Sequence, residues 1–432
     1  MQYYSLNKKA PNVDFAYAAV HGQAPDKGLY FPEFVPKLSQ EFWDAFPTMS
    51  KEEIGFAVMK NFVGESIPNN ELKRIVAETI NFDFPLVKID ENISSLELFH
   101  GPTLAFKDVG ARFMSRCLGY FNKGKKENTT VLVATSGDTG GAVANGFLGV
   151  EGVNVVILYP SGKVSPIQEL QLTTCGQNIT ALEVNGSFDD CQAIVKQAFM
   201  DEDLNKHLTL TSANSINVAR WLPQQLYYFF AVQKWFKKYN EAPIICVPSG
   251  NFGNICAGIM AQQAGLPVKH FVAACNANDE VPKYFATGNY SPQMAVATIS
   301  NAMDVGDPSN FVRILEIFNA DYNSITEIIS SVSVDDETTK ATIKEVESRT
   351  NYVLDPHGAV AYKALSDYIN ANGGNGFLLE TAHPVKFPNV VEEVIGRQIP
   401  IPEDAKYLFE KKKESTVINA DFDAVKKWLL SK

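Results

Sequence analysis

The 432-residue chain is short of charge, short of cysteine and free of long unbroken apolar runs. Only 20% of its residues are charged against 45% apolar, which excludes a disordered polyelectrolyte and leaves ample material for a core. Its 38 Lys and Arg do not balance 49 Asp and Glu, giving a formal charge of −11. Apart from Lys411-Lys412-Lys413 the basic residues are scattered, so no stripe exists for a nucleic acid or an anionic membrane. Six cysteines with no CxxC and no regular spacing exclude a disulfide framework and a zinc site, and no metal is expected. They read as reduced thiols of a cytoplasmic protein. The opening MQYYSLNKKAPN lacks the apolar region of a secretory signal. The longest charge-free stretch, Ala242 to Val268, is broken by Pro243, Pro248 and Pro267 and does not span a bilayer. No internal repeat appears, and about 150 residues per domain predicts roughly two to three domains.

What is present is an alternation of apolar strands and helical stretches. Val131 to Ala134, Ile244 to Val247 and Phe271 to Ala274 are continuous apolar runs, and the mainly apolar Val153 to Tyr159 and Ile179 to Val184 read as strands too. Between them lie helical patterns such as Phe188, Cys191, Val195, Ala198 and Phe199 on one face, with Ser187 as N-cap. Strands of this kind predict an α/β fold with parallel sheet buried on both faces. Before residue 90, two amphipathic helices are expected near Asp14 to Val20 and Lys51 to Phe62. The stretch from about 280 to 350 reads as a polar helical insertion or cap, and the end of the chain as a helix packed on the body.

Four segments carry chemistry. In Phe99-His-Gly-Pro-Thr-Leu-Ala-Phe-Lys107-Asp108, a lone lysine opens a helix beside apolar residues. Both features disfavour an ammonium and suit a Schiff-base amine, although a surface lysine capping a loop fits the same pattern. Ser249-Gly-Asn-Phe-Gly-Asn254 is a glycine-bearing strand-to-helix junction whose N–H groups would cradle a phosphate, unless it is a plain turn. It has neither the Walker lysine nor the three-glycine dinucleotide spacing, so a phosphorylated cofactor suits it better than a nucleotide. Thr135-Ser-Gly-Asp-Thr-Gly140 offers hydroxyls and amides to a substrate carboxylate, or is a helix cap. Thr381-Ala-His-Pro384 follows the apolar strand Phe377 to Leu379, with His383 more in keeping with a structural role than with a base.

In this order FHGPTLAFKD, ATSGDTG, SANSINVAR, PSGNFGN and TAHPVKF resemble pyridoxal-phosphate enzymes of fold type II, the tryptophan synthase β-like superfamily. Within it the chain is similar to the threonine synthase family of the longer bacterial and fungal type. The resemblance, which runs from Tyr3 to Phe387, implies a two-lobed parallel-sheet fold with an N-terminal segment and a helical insertion. It implies an N-terminal piece over 1–90, a lobe over 91–240 with the Schiff-base lysine and substrate loop, and a second over 241–400. That second lobe would hold the cofactor-phosphate loop and the insertion near 280–350, with a helical tail over 401–432. The implied reaction converts O-phospho-L-homoserine and water to L-threonine and phosphate, in the cytoplasm, by a monomer or homodimer. A serine/threonine dehydratase, a β-replacement synthase or a silent pyridoxal-phosphate-binding protein are the alternatives.

Residue by residue, Lys107 matches the lysine that bonds pyridoxal 5'-phosphate and shuttles protons. Gly250, Asn251, Phe252, Gly253 and Asn254 match the cofactor-phosphate loop, and Thr381 the residue facing the pyridine nitrogen. Many relatives carry Asp at the position of Asn254, which a backbone cradle tolerates. Thr135, Ser136, Asp138 and Thr139 match the substrate-carboxylate loop, and Asn214 and Arg220 the holders of the leaving phosphate. An Asp at 138 must be hydrogen-bonded or protonated to lie beside a carboxylate. Arginine suits a phosphate because its planar fork bonds two oxygens at once.

Overall fold

The computed structural model describes residues 1–431. Strands β1 (Tyr3–Ser5) and β2 (Tyr30–Pro32) form an antiparallel ribbon at the start of the chain. Next come β3 (Leu86–Lys88), β4 (Ile93–Glu97), β5 (Thr129–Ala134), β6 (Val153–Pro160), β7 (Ile179–Asn185) and β8 (Thr209–Thr211). They are followed by β9 (Ile244–Pro248), β10 (His270–Cys275), β11 (Ile329–Ser333), β12 (Gly376–Glu380) and β13 (Thr416–Asn419). One sheet has the order β13-β7-β6-β5-β8 and is parallel throughout. The other has the order β11-β10-β9-β12-β4-β3 and is parallel except for the β3–β4 pair.

Every residue of β5, β9, β10 and β12 is buried, the signature of strands covered by helices on both faces. The covering helices start where side chains satisfy the first N–H groups. Ser50 and Glu53 form a capping box on helix Lys51–Val63, Ser187 and Asp190 do so on Phe188–Met200, and Asp14 caps Phe15–His21. Val131 and Val155 of one sheet, Ile245, Phe271 and Phe377 of the other, and Ile54 and Leu72 of the N-terminal helices share one apolar cluster. The two sheets therefore pack through a common core. No helix among the described residues is long and apolar enough to cross a membrane.

Three boundaries differ from the sequence reading. Residues 86–97 belong to the sheet of β9 and β12, so the chain starts in one sheet, crosses to the other and returns. The 280–350 stretch is no separate cap: β11 pairs in parallel with β10, and helix Asp336–Thr350 follows it. The tail after 401 is more than a helix, because β13 adds to β7 and helix Phe422–Leu430 packs beyond it. Both β11 (ISSVS) and β13 (TVIN) are partly exposed edge strands, which lack the continuous apolar run that betrays a central strand.

Helix Pro356–Asn372 lies so close to β12 that a Cβ on Gly358 would overlap the Glu380 carboxylate. Glu380 Oε1 accepts from Asp355 N at 2.7 Å at that helix start. Gly358→Ala should cost about 1–3 kcal/mol, read as a lower urea unfolding midpoint.

Candidate active site

The chain leaves β4 at Glu97 and enters helix Lys107–Asn122, so Lys107 stands at the crossing between the sheets. The intervening loop is sewn to the segment after β12. Phe106 N donates to Thr381 O at 2.9 Å, His383 N donates to Leu104 O at 3.0 Å, and Ala105 bridges Ala382. To make this turn Leu104 adopts a left-handed backbone at φ 58°, a strained choice for a residue with a side chain. Asp108 Oδ2 and Oδ1 accept from Thr103 N and Oγ at 2.9 and 2.6 Å, closing the loop beneath the lysine. Burial lowers the Lys107 pKa, Asp138 raises it, and Lys386 and Arg220 lower it again. The net effect favours the neutral amine, which is the nucleophilic form. Lys107 as a whole residue is nevertheless only half-buried.

The 135–140 loop joins β5 to helix Asp138–Phe147. The Thr135 hydroxyl is used inside it, accepting from Gly137 N at 3.0 Å and Gly140 N at 2.9 Å. Gly137 sits at φ 143°, and a Cβ there would lie 2.5 Å from the Gln168 amide. Ser136 and Thr139 are half-buried and remain the hydroxyls open to a ligand. Asp138 is hydrogen-bonded, as a carboxylate in this loop has to be. Its Oδ1 accepts from Gln168 Nε2 and from Lys386 Nζ, each at 2.8 Å, which makes it the counter-ion of that lysine. Burial pushes its pKa up, but Lys386 and Lys107 with the Gln168 hydrogen bond hold it down at about 2.

Between β9 and helix Gly253–Gln263, the backbone turns on Phe252 at φ 59°, and the ring of Phe252 packs edge-on against Phe311. The first N–H groups of this helix lack intrahelical partners and point into the turn. Gly250 is needed for close approach, since a Cβ there would lie 2.6 Å from Met303 Cα. The Asn251 side chain ties loops together: Nδ2 donates to Ser215 Oγ at 2.6 Å and Oδ1 accepts from Ser309 N at 2.6 Å. Its part in ligand binding is thus through the backbone. Asn254 Oδ1 accepts from Tyr227 and Tyr228 hydroxyls at 2.5 and 2.8 Å, leaving its buried Nδ2 without a partner. An orphaned donor at a helix N-terminus suits an anion.

Arg220, on the short helix Val218–Trp221, is buried; its Nη1 donates to Ala213 O, and its Nε has no partner. It packs on Gly110, one turn beyond Lys107, where a Cβ would come within 3.1 Å of Nε. Burial lowers its pKa to about 10, so it stays charged at neutral pH. Asn214 is half-buried at the start of the same segment. Thr381 closes the site from the β12 side, and His383, lowered to about 4 by burial, accepts from Val385 N as a neutral structural ring.

Sequence reasoning missed two cations. Lys386 is fully buried, and its signal is present in TAHPVKF, where the sequence reading stops at Thr381 and His383. Arg313 is also fully buried; it donates to Ser215 O at 3.3 Å, Ile216 O at 2.6 Å and Tyr30 O at 3.1 Å, and lies over the Trp221 ring at 4.6 Å. No local pattern marks it. A neutral-leaning amine, a helix N-terminus with an orphaned amide, and the Thr381 hydroxyl fit an aldehyde, a phosphate and a pyridine nitrogen respectively.

Asp138 has a folded-state pKa near 2 against an ordinary 3.8. Its contribution to stability is therefore complete above about pH 4 and is lost as pH falls through about 2. Asp138→Asn should remove that part of the acid-unfolding curve, measured by circular dichroism.

Family models match three stretches: "Pyridoxal-phosphate dependent enzyme" over residues 91–376, "Threonine synthase N terminus" over 2–80 and "Threonine synthase, C-terminal" over 358–429. The chain is 43% identical to threonine synthase of Haemophilus influenzae, with 100% of both chains covered. The crystal structure of threonine synthase from Escherichia coli matches with a TM-score of 0.92 at 42% identity, covering 100% of both chains. The pyridoxal-phosphate-bound threonine synthase of Brucella melitensis matches with a TM-score of 0.93 at 35% identity, covering 99% of this chain and 98% of that one. Full-length identity, shared fold and the cofactor-binding family model agree: the chain belongs to the threonine synthase family of pyridoxal-phosphate enzymes.

Proposed function

We propose that this enzyme converts O-phospho-L-homoserine and water to L-threonine and inorganic phosphate, with Lys107 as the residue that carries the cofactor. The observation behind this reading is the juxtaposition of two basic side chains with different tasks. Burial shifts Lys107 toward its amine form, and one helical turn away the buried Arg220 packs on Gly110 with an unsatisfied Nε. A dehydratase or β-replacement enzyme needs the first group but has no second phosphate to hold.

The product dictates the order of proton movements. Phosphate leaves Cγ while hydroxyl arrives at Cβ, so protons must be taken from both Cα and Cβ before phosphate departs. Bound pyridoxal phosphate supplies the carbonyl that captures the amino group and the conjugated ring that spreads the released electron pair. Lys107 is our candidate for the base that serves both carbons. The proton from Cβ passes to Cγ once phosphate has left, water gives its hydroxyl to Cβ and its other proton to the released phosphate, and Lys107 returns a proton to Cα at the end. Ser136 and Thr139 orient the substrate through its carboxylate, while Arg220 and Asn214 receive the phosphate as its charge grows. The backbone of Gly250 to Asn254 and the Asn254 amide hold the cofactor phosphate. Thr381 faces the pyridine nitrogen, and a hydroxyl there leaves that nitrogen less strongly protonated than a carboxylate would. This chemistry belongs to a small-molecule biosynthetic enzyme of the cytoplasm, working as a monomer or homodimer.

Incubation of the purified enzyme with O-phospho-L-homoserine should release phosphate and threonine in equal amounts. Phosphate without threonine would point to a lyase of another kind. Arg220→Ala should lower kcat/KM by roughly 30-fold to several-thousand-fold, the equivalent of about 2–5 kcal/mol. Unchanged turnover would place the phosphate elsewhere. Lys107→Ala should abolish the borohydride-reducible cofactor adduct.

A further inference from the structure

Lys386 has no part in the roles assigned so far, yet it is wholly buried. Its amine donates to Thr103 O at 2.6 Å and to Asp138 Oδ1 at 2.8 Å. Thr103 lies in the loop that leads to Lys107, Asp138 opens the helix after β5, and Lys386 follows β12. One ammonium thus joins segments from both sheets. Burying it costs several kcal/mol unless the contacts repay the loss of water, so its retention beside the reacting lysine calls for a reason.

The charges around Lys107 supply one. Asp138 favours its charged form, while Lys386 and Arg220 oppose it. Asp108, on the lysine's own helix, is turned toward Thr103. Asp138 therefore acts on both lysines but is hydrogen-bonded to Lys386. Gln168 Nε2 donates to the same Asp138 oxygen from the side.

We propose that Lys386 is a positioning residue for the proton chemistry of Lys107: by retaining Asp138 it leaves the Lys107 amine neutral and free to accept protons from carbon. In each such transfer the C–H bond breaks, the N–H bond forms on the amine lone pair, and the electron pair stays with the carbon framework. The same ion pair cancels a negative charge beside the loop that receives the substrate carboxylate. This inference rests on Lys107 being the cofactor lysine.

The test reads the Lys107 proton directly, by the rate at which cofactor-stripped protein forms its coloured adduct with pyridoxal 5'-phosphate as pH is varied. Without Lys386, Asp138 is free to pair with Lys107, and Lys386→Met should move the midpoint up by about one pH unit or more. Asp138→Asn should move it down, and the double variant should return toward the wild-type value. Loosened packing would move all three the same way. Midpoints that move together, or do not move, overturn the proposal. Should Lys386→Met fail to fold by circular dichroism, an unshifted midpoint in Asp138→Asn alone overturns it. Borohydride reduction and peptide mapping keep the two claims apart: an adduct on a lysine other than Lys107 would defeat the cofactor assignment itself.

Discussion

The backbone seam between Leu104–Phe106 and Thr381–His383 is the constraint on which the site depends. Its two hydrogen bonds and the Ala105–Ala382 bridge join a loop leaving β4 to a segment leaving β12, neighbouring strands of one sheet. The seam sets the start of helix Lys107–Asn122, and so brings the backbone just ahead of Lys107 against Thr381. A left-handed Leu104 is the local cost, about 1 kcal/mol, and the hydrogen bonds on either side hold it there. The same device recurs at the phosphate loop, where Phe252 turns left-handed and is held by its ring contact with Phe311.

Electrostatics bear on how an acidic protein can hold anions. Arg220, Arg313 and Lys386 are buried despite the charge of −11, and Arg220 and Lys386 both act on Lys107. Arg220 and Arg313 are not neutralised by carboxylates; backbone carbonyls and the Trp221 ring take their place. Carbonyl dipoles take up part of the guanidinium hydrogens, while the Nε of each arginine stays without a partner, and an incoming anion can use that charge. Burial lowers the two pKa values to about 10 and about 9, still high enough to keep both charged at neutral pH. Such an arrangement is poor for stability and good for binding anions.

Loop tying links these charges to the scaffold. Arg313 reaches the carbonyls of Ser215 and Ile216 in the segment that ends at Arg220. Asn251 bonds Ser215 from the cofactor-phosphate loop, and Asn310 Nδ2 donates to Asn251 O at 3.0 Å. The 250–254 loop, the 214–220 segment and the 309–313 stretch therefore share one polar network. A shift of one would be felt by the others.

Much of this was legible in the order of residues. Central strands announced themselves as apolar runs, and Lys107, the Gly250 to Asn254 turn, the 135–140 loop and Thr381 all lay at strand-to-helix junctions. These are local signals, written within a dozen residues by periodicity and turn chemistry. Edge strands β11 and β13 escaped, because their residues are polar and their pairing partners lie far away in the chain. So did the partners of Asp138. Its residue type and loop could be read directly, but its charge state depends on Lys386, 248 positions later, and on Gln168. Chemistry carried by one segment is a property of covalent order. Which lysine holds which carboxylate is decided by packing, because Coulomb energy follows distance in space and not distance along the chain.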